Sequence, residues 1–413
     1  MAYDILIKNI KGLLQVREST PFVLVGADMA MLPTIENAFL AISGDRIVDY
    51  GVMSDLPTVR ADQVIDAAGS YVMPSFVDSH THLVFAASRE EEFVMKIKGA
   101  SYAEIAAKGG GILNSAKKLQ AMSEDELLDR TLRRAHEIIE TGTGAVEIKS
   151  GYGLTVKDEL KMLRVAKAVG ERTPLKVKTT FLGAHAVPKE YSKDDYLQLV
   201  LKEMIPAVAE EKLADYIDVF CEEGFFSPAE TETIAEEGKR FGMRPRIHAN
   251  QLHRSGGVQV GVKVNAVSVD HLENIGPEEL EALKDSTTIP TALPGAAFFL
   301  SLPFPPARDI INAGLPLAIA SDYNPGSSPS GNMQLMMALA CIKMRITPEE
   351  AINATTINTA AAMEILSTHG SITKGKIANV MITKPMSSIA YLPYSFGSTH
   401  LSKVILNGKV VAD

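Results

Sequence analysis

The residues of this sequence that most directly suggest chemistry are two histidines separated by one residue, His80 and His82. They follow the short apolar run 72–77, whose residue types favour a β-strand. Side chains at i and i+2 point to the same face of a strand, so both imidazoles lie on one side. Such a pair can bind a transition metal. Alone it is weak evidence, because most isolated pairs are structural, and the rest of the chain must decide.

Composition restricts the class of protein. The chain has 413 residues, 46% of them hydrophobic, which is enough for a large core and more than one domain. The net charge of −9 argues against a nucleic-acid partner. No apolar run of about 18 residues predicts a membrane span. The two cysteines, Cys221 and Cys341, and the absence of a signal-peptide pattern predict a cytoplasmic protein.

The two ends of the chain share one pattern, short β-rich runs separated by turn residues. Residues 1–72 contain several such runs, and residues 374–413 contain two, followed by the hairpin dipeptide Asn407-Gly408. We expect both ends to form one small, discontinuous β-sandwich domain.

The middle of the chain, residues 73–373, alternates β-type runs with helical segments. Ser123, Thr155, Ser227 and Thr347 are N-cap residues at the start of four of these helices. Eight strands interleaved with helices predict a (β/α)8 barrel. A doubly wound sheet is the alternative, but no G-x-G-x-x-G motif opens a helix after the first strand. The predicted strands are 72–77, 145–150, 175–182, 216–221, 244–248, 266–270, 287–291 and 315–321.

Polar residues stand at the C-terminal ends of several predicted strands, where a barrel enzyme has its active site. These residues are His80, His82, His185, His248, His271 and Asp322. The remaining histidines lie elsewhere: His136 within a helix, and His369 and His400 in turn-rich segments, where we expect surface or capping positions. His253, shortly after the fifth strand, fits either group.

Together these motifs resemble the amidohydrolase superfamily and, more closely, its imidazolonepropionase family. The resemblance covers nearly the whole chain and rests on segments 74–82, 147–154, 181–188, 248–251, 269–273 and 321–329. It implies hydrolysis of a ring amide C–N bond, converting 4-imidazolone-5-propanoate to N-formimidoyl-L-glutamate in histidine degradation.

The resemblance also implies a metal centre, with one divalent or trivalent ion per chain, Zn or Fe. The implied ligands are His80, His82, His248 and Asp322. Three imidazoles and one carboxylate leave room for a water molecule, as a hydrolytic site requires. Binuclear relatives carry a bridging lysine on the fourth strand. Here that strand, 216–221, has no lysine, which favours a single metal.

Catalytic roles follow by resemblance for His271, Asp322 and Gln251. Some family members have a carboxylate where this chain has Gln251, and an amide cannot accept a proton from water. We therefore assign general-base work to His271 and Asp322 and substrate hydrogen bonding to Gln251. The implied substrate-binding residues are Arg89, Tyr152, His185, Gln251, Asn324, Gly326 and Ser327.

The implied substrate is a small molecule with a carboxylate tail, which Arg89 would bind through its planar guanidinium. A homodimer is also implied. Two other functions remain open: another cyclic-amide hydrolase or nucleobase aminohydrolase with the same metal ligands, and a non-catalytic barrel, which the intact ligand set disfavours. The glycines 109–111 lack the Lys-Ser/Thr of a phosphate-binding loop and predict a mobile segment covering the site.

Overall fold

The computed structural model describes residues 2–19, 22–99 and 110–413 and arranges their strands in two eight-stranded sheets. In chain order the strands are β1 (Ala2–Leu14), β2 (Thr34–Ser43), β3 (Arg46–Val52), β4 (Arg60–Asp66), β5 (Tyr71–Pro74), β6 (Phe76–Thr81), β7 (Thr143–Lys149), β8 (Lys176–Ala184), β9 (Tyr216–Cys221), β10 (Arg244–Ala249), β11 (Ser268–His271), β12 (Ile289–Ala292), β13 (Ala318–Ile319), β14 (Val380–Thr383), β15 (Leu401–Leu406) and β16 (Lys409–Ala412).

One sheet is a nearly closed barrel of eight parallel strands, in which β6 to β13 pair in sequence order. The residues after β13 approach β6 and bring the two edges together: Asp322 N donates to His80 O and His82 N donates to Tyr323 O, both at 3.0 Å. The predicted (β/α)8 class is therefore confirmed, and this seam joins two of the predicted site segments directly.

Helices follow the barrel strands, and one more short helix lies between β14 and β15 of the other sheet. They are α1 (Glu90–Ile97), α2 (Ile112–Gln120), α3 (Glu124–Glu140), α4 (Val156–Arg172), α5 (Lys193–Leu199), α6 (Ile205–Glu210), α7 (Pro228–Arg240), α8 (Gly257–Lys263), α9 (Pro277–Lys284), α10 (Pro294–Leu300), α11 (Ala307–Asn312), α12 (Met333–Met344), α13 (Pro348–Thr355), α14 (Ile357–Ala362) and α15 (Tyr391–Tyr394).

The predicted helix starts are confirmed. The side chains of Ser123, Thr155, Ser227 and Thr347 each accept a hydrogen bond from the backbone N–H three residues later. Each bond pairs one of the N–H groups that a helix leaves free in its first turn. The long helices then bury one face against the barrel, as α3 does with Leu127, Ala135 and Ile138.

The second sheet combines both ends of the chain, as predicted. Its order is β16-β15-β14-β5-β1-β2-β3, and β4 pairs with β1. Strand β1 pairs with β4 through its first half and with β5 through its second half. β5 ends at Pro74 and β6 begins at Phe76, so the chain passes from this sheet into the barrel at Ser75. The domain boundaries 72/73 and 373/374 stay predictions.

Two histidines for which we expected surface or capping positions, His369 and His400, are buried, so the surface alternative was wrong. His400 Nε2 lies 2.7 Å from the backbone oxygen of Ser395, the residue after α15, which agrees with the capping alternative. His369 and His400 are 4% and 5% exposed, whereas His136 is exposed as predicted. The turn around His400 packs against the barrel, because His400 N donates to Gln334 Oε1 at 3.0 Å. Turn composition predicts local conformation, but here tertiary packing determines burial. Among the described residues, no helix is long and apolar enough to cross a membrane.

Candidate active site

Four side chains predicted as metal ligands converge at the C-terminal end of the barrel. His80 Nε2 lies 3.5 Å from Asp322 Oδ1, and His82 Nε2 lies 3.6 Å from the same oxygen. His248 Nε2 lies 3.4 Å from His82 Nε2. All four residues are at most 3% exposed. The strand ends thus bring together residues that are up to 242 positions apart in the sequence.

Carboxylates fix the orientation of two of these imidazoles. His80 Nδ1 lies 2.7 Å from Asp270 Oδ2, and His248 Nδ1 lies 2.9 Å from Asp218 Oδ2. A carboxylate only accepts here, so each Nδ1 carries the proton and each Nε2 offers a lone pair. Carboxylate-backed histidines of this kind are typical of metal sites, where the carboxylate sets both tautomer and ring direction.

The residues present fit a divalent metal. His80 Nε2 is buried and has no hydrogen-bond partner among the described residues, and two neutral imidazole nitrogens face each other at 3.4 Å. Ligand atoms within 4.8 Å of one another form two overlapping triads, His80–His82–His248 and His80–His271–Asp322. Nitrogen and carboxylate donors in this number suit a divalent transition metal, and a cation would satisfy lone pairs that otherwise repel.

The backbone at the strand ends adopts conformations that non-glycine residues rarely take. His271 and Leu272, at the end of β11, have φ of 88° and 71°, and Asp322 has φ of 53°. Such conformations persist only where the surrounding contacts hold them. At Asp322 the hydrogen bond to His80 O is one of those contacts. Local strain therefore occurs at two predicted catalytic positions.

The pKa values of the two groups assigned general-base work, Asp322 and His271, are both raised. Burial raises the pKa of Asp322 to about 6, although His271 and the hydrogen bond from Ser327 oppose this. Burial acts to lower the pKa of His271, but the nearby Glu273 carboxylate outweighs it and the pKa is raised. Glu273 Oε1 lies 3.4 Å from His271 Nδ1. Both groups therefore favour carrying a proton more than they would in water.

The loop after β7 carries Tyr152 and is held by one buried carboxylate. Glu159 accepts hydrogen bonds from the backbone N–H groups of Gly151, Gly153 and Leu154 at 2.8–3.0 Å. Gly151 O in turn accepts from His185 Nδ1 at 2.9 Å, so His185 Nε2 is left as an acceptor. Burial lowers the pKa of His185 to about 3, which keeps the ring neutral.

Arg89 lies inside the site rather than on the surface. Its Nε and Nη2 donate to Glu92 Oε2 at 2.9 and 2.6 Å, and its side chain is 13% exposed. Its Nη1 lies over Gly326, where an added Cβ would stand only 2.2 Å from that nitrogen. Gly326 is thus the residue that lets the guanidinium approach the loop after β13.

The loop 322–328 is braced by the amide of Asn324. Its Nδ2 donates to Asp322 O and Ser327 Oγ, both at 2.7 Å, and its Oδ1 accepts from the N–H of Gly326 and Ser327. Both donors and both lone pairs of this amide are therefore used within the loop. Ser327 Oγ also contacts Asp322 Oδ2 at 3.1 Å. Asn324 positions the loop instead of presenting a free amide.

Gln251 lies on the loop after β10 and is 8% exposed. A second buried carboxylate supports this loop, since Glu222 Oε2 accepts from Leu252 N and His253 N at 2.8 and 3.3 Å. The ring of His253 pairs with Glu222 at 3.0 Å. His253, which fitted either group of histidines, thus belongs to the loop support.

One cavity of about 390 Å³ joins these groups. Every predicted site residue except His80 lines it, and Phe93, Phe220 and Phe299 supply apolar walls. This size and lining suit a small organic molecule. Of the predicted covering segment 109–111, residue 109 lies outside the described residues, and Gly111 N donates to Glu92 Oε1 at 3.1 Å.

Several functional neighbours escaped the sequence analysis. They are the carboxylates that orient histidines or loops, Asp218, Asp270, Glu273, Glu159 and Glu222. A signal existed for Asp218 and Asp270, because each is an acidic residue inside an apolar strand run. Which histidine each one contacts depends on the register and closure of the barrel, which a single strand does not contain.

Solved structures share this fold. An adenosine deaminase from Xanthomonas campestris with bound zinc has a TM-score of 0.73 at 16% identity and covers 99% of this chain and 93% of its own. A 5-methylcytosine deaminase from Klebsiella pneumoniae has a TM-score of 0.74 at 16% identity and covers 98% of this chain and 97% of its own. At these identities the likeness concerns the fold.

The profile of the Amidohydrolase family matches residues 71–411. Fold and site together define a metal-dependent hydrolase of the amidohydrolase class. An imidazolonepropionase from Flavobacterium johnsoniae is 56% identical over 98% of this chain and 99% of its own length. A second imidazolonepropionase, from Christiangramia forsetii, is 55% identical over 98% of this chain and 100% of its own length. The chain belongs to the imidazolonepropionase family.

Proposed function

We propose that this chain hydrolyses the ring amide C–N bond of 4-imidazolone-5-propanoate and yields N-formimidoyl-L-glutamate in histidine degradation. The observation that carries the proposal is one cavity containing both a metal-fitting His/Asp cluster and a largely buried guanidinium, Arg89. A metal held by the His/Asp cluster would activate water for hydrolysis of an amide, and the Arg89 guanidinium can bind the propanoate carboxylate. A nucleobase has no carboxylate for Arg89, which disfavours an aminohydrolase.

The proposal includes one metal ion per chain, Zn or Fe, held by His80, His82, His248 and Asp322. A divalent metal at such ligands lowers the pKa of a water molecule toward neutrality and thereby supplies a nucleophile. Asp218 and Asp270 keep the Nε2 lone pairs of His248 and His80 directed at this position.

Hydrolysis needs three changes at the ring. The water oxygen forms a bond to the carbonyl carbon, the bond from that carbon to the ring nitrogen breaks, and the nitrogen receives a proton. Asp322, whose pKa is raised to about 6, is suited to accept the proton of water and to pass it to the leaving nitrogen. His271, whose pKa the Glu273 carboxylate raises, is suited to share this base work and, once it carries the proton, to donate a hydrogen bond to the developing oxyanion.

The remaining residues bind and orient the ring. His185 Nε2 is a neutral acceptor for a ring N–H, since Gly151 O occupies its Nδ1. Tyr152, whose ring lies 5.4 Å from that of His185, and Gln251 offer polar groups in the same cavity. Gly326 makes room for Arg89, and Ser327 contacts the Asp322 carboxylate. A homodimer and a cytoplasmic location belong to the same proposal.

The test is turnover by purified protein of measured metal content. Urocanase generates 4-imidazolone-5-propanoate in place, and mass spectrometry detects N-formimidoyl-L-glutamate. We expect product from the wild type with about one metal per chain, and loss of product with His80→Ala. Absence of product from metal-loaded wild type would refute the proposed substrate. Release of ammonia from a nucleobase would support the aminohydrolase instead.

Arg89→Gln tests recognition of the carboxylate. We expect a KM increase of about 10- to 100-fold, as for loss of a charge-assisted bidentate contact. The matched control is Arg133→Gln, an arginine that is 77% exposed and paired on the surface with Asp129. A substrate analogue with a neutral amide in place of the carboxylate should show a similar KM increase with the wild-type protein. With that analogue, Arg89→Gln should cause no additional increase in KM. An unchanged KM for Arg89→Gln would contradict the assignment.

A further inference from the structure

The strands of the barrel carry a second group of charged side chains next to the histidine cluster. Every member is 0% exposed. The group consists of Glu147, Lys149, Asp218, Arg246 and Asp270. Burying an unpaired charge is unfavourable by several kcal/mol or more, so these contacts have to be specific.

Lys149 links two of the carboxylates. Its Nζ lies 2.9 Å from Glu147 Oε1 and 2.9 Å from Asp218 Oδ2. The same Asp218 oxygen accepts the Nδ1–H of His248 at 2.9 Å, while the other accepts the N–H of Val219 and His248. One carboxylate oxygen is therefore shared by a buried cation and by a metal-ligand histidine.

The other carboxylate-backed histidine is supported differently. Asp270 contacts Arg246 Nη2 at 3.5 Å, a marginal distance. Arg246 donates at 2.8 Å to two backbone oxygens, those of Ser79 and Ala362, and so mainly ties the backbone together. Lys149, by contrast, makes its hydrogen bonds and ion pairs to carboxylates. Lys149 therefore holds Asp218 by a shorter contact, 2.9 Å, than the 3.5 Å contact between Arg246 and Asp270.

We propose that Lys149 is a positioning residue of the metal site, which acts through Asp218 to hold the His248 imidazole with Nε2 toward His82. The inference rests on the proposed function only in requiring that this site binds a metal. Without the ammonium, Asp218 and Glu147 remain as two buried carboxylates with no cation between them. Asp218 then moves, the His248 ring loses its fixed direction, and the metal is held less tightly.

The test compares Zn²⁺ affinity of wild type and Lys149→Met, which removes the charge and keeps much of the side-chain length. Competition with a chromophoric chelator gives the dissociation constant without substrate. We expect Zn²⁺ to bind about 10- to 100-fold more weakly, which is the usual effect of removing a residue that orients a metal ligand. The visible spectrum of the Co²⁺-loaded variant should also change, because the direction of one ligand changes.

Lys161→Met is the matched control. Lys161 is also a buried lysine, 7% exposed, and pairs with Asp158 Oδ1 at 2.8 Å and with two backbone oxygens. Its removal should destabilise the fold yet leave the Zn²⁺ dissociation constant within about twofold of wild type. The comparison separates a general effect of losing a buried lysine from an effect on the metal site.

A double variant keeps the test decisive if Lys149→Met does not fold. Glu147→Gln combined with Lys149→Met removes one charge of each sign, so the net charge of the buried group is unchanged. Asp218 still lacks its cation, as it does in Lys149→Met. Weaker Zn²⁺ binding by this variant supports the proposal. Wild-type affinity and an unchanged Co²⁺ spectrum overturn it. If wild type fails to turn over 4-imidazolone-5-propanoate, the proposed function fails alone, because affinity is measured without substrate.

Discussion

Glu159 is predicted to hold the loop that places Tyr152 and His185 in the cavity. It accepts three backbone hydrogen bonds, from Gly151, Gly153 and Leu154, and it is 0% exposed. Burial raises its pKa although the donors around it act to lower it. Replacement by alanine removes all three acceptor contacts at once.

The magnitude follows from the number of donors left unpaired. A buried N–H without a partner costs about 1–3 kcal/mol, so Glu159→Ala should lower the free energy of unfolding by at least about 3 kcal/mol. Glu159→Gln keeps one oxygen for Gly153 and Leu154 but turns an NH₂ group toward Gly151 N. One donor is then unpaired, and we expect a loss of about 1–3 kcal/mol.

Chemical denaturation of the metal-loaded protein measures both losses, and KM measures the effect on the site. KM should rise in the same order, because Gly151 O no longer holds His185 in its orientation. Glu126→Gln, at an exposed first turn of α3, is the control and should change neither quantity appreciably. A loss below about 1 kcal/mol for Glu159→Ala, with unchanged KM, would refute the loop-holding role.

Three further outcomes are expected. Asp322→Asn should lower kcat by at least about 100-fold with metal still bound, because the amide cannot accept a proton. Full turnover by the metal-loaded variant would exclude Asp322 as the general base. Gly326→Ala should raise KM by displacing Arg89, whose Nη1 would lie 2.2 Å from the new Cβ, and an unchanged KM would show that Arg89 binds elsewhere. Burial and nearby cations lower the pKa of His369 to about 4 from 6.5, so only the unfolded chain takes up its proton between these values. Stability should therefore fall by up to about 3 kcal/mol as pH drops through this window, and His369→Asn should flatten that dependence in denaturation curves measured from pH 7 to 4.

The parts of the site that the sequence predicts are those that depend on one strand at a time. His80 and His82 share a face because alternation along a strand requires it, and the end of a strand is recognisable from the run that precedes it. N-caps such as Thr155 are equally local. For these features the relevant interactions lie within a few residues, so the pattern and the structure agree.

The missed parts depend on contacts between strands. Asp270 lies next to His248 in the β10–β11 register, yet its carboxylate contacts His80 on β6. That contact exists only because the barrel nearly closes. The burial of His400 has the same origin, since a turn-rich segment packs against α12 through Gln334. No periodicity within one segment encodes such contacts.

The charges around the site explain why this fold favours a cation at its centre. Among the described residues, the buried carboxylates next to the histidines outnumber the buried cations there, since Glu147, Asp218, Asp270, Glu273 and Asp322 face only Lys149 and Arg246. The imidazoles of His80 and His82 cannot compensate as cations, because burial holds their pKa values well below the usual range. A divalent ion offsets most of the excess while its ligands stay neutral or anionic. Burial raises the pKa of Asp322 to about 6, with a smaller contribution from Glu273, so a proton competes with the metal for this carboxylate. Metal affinity must therefore weaken as pH falls toward 6.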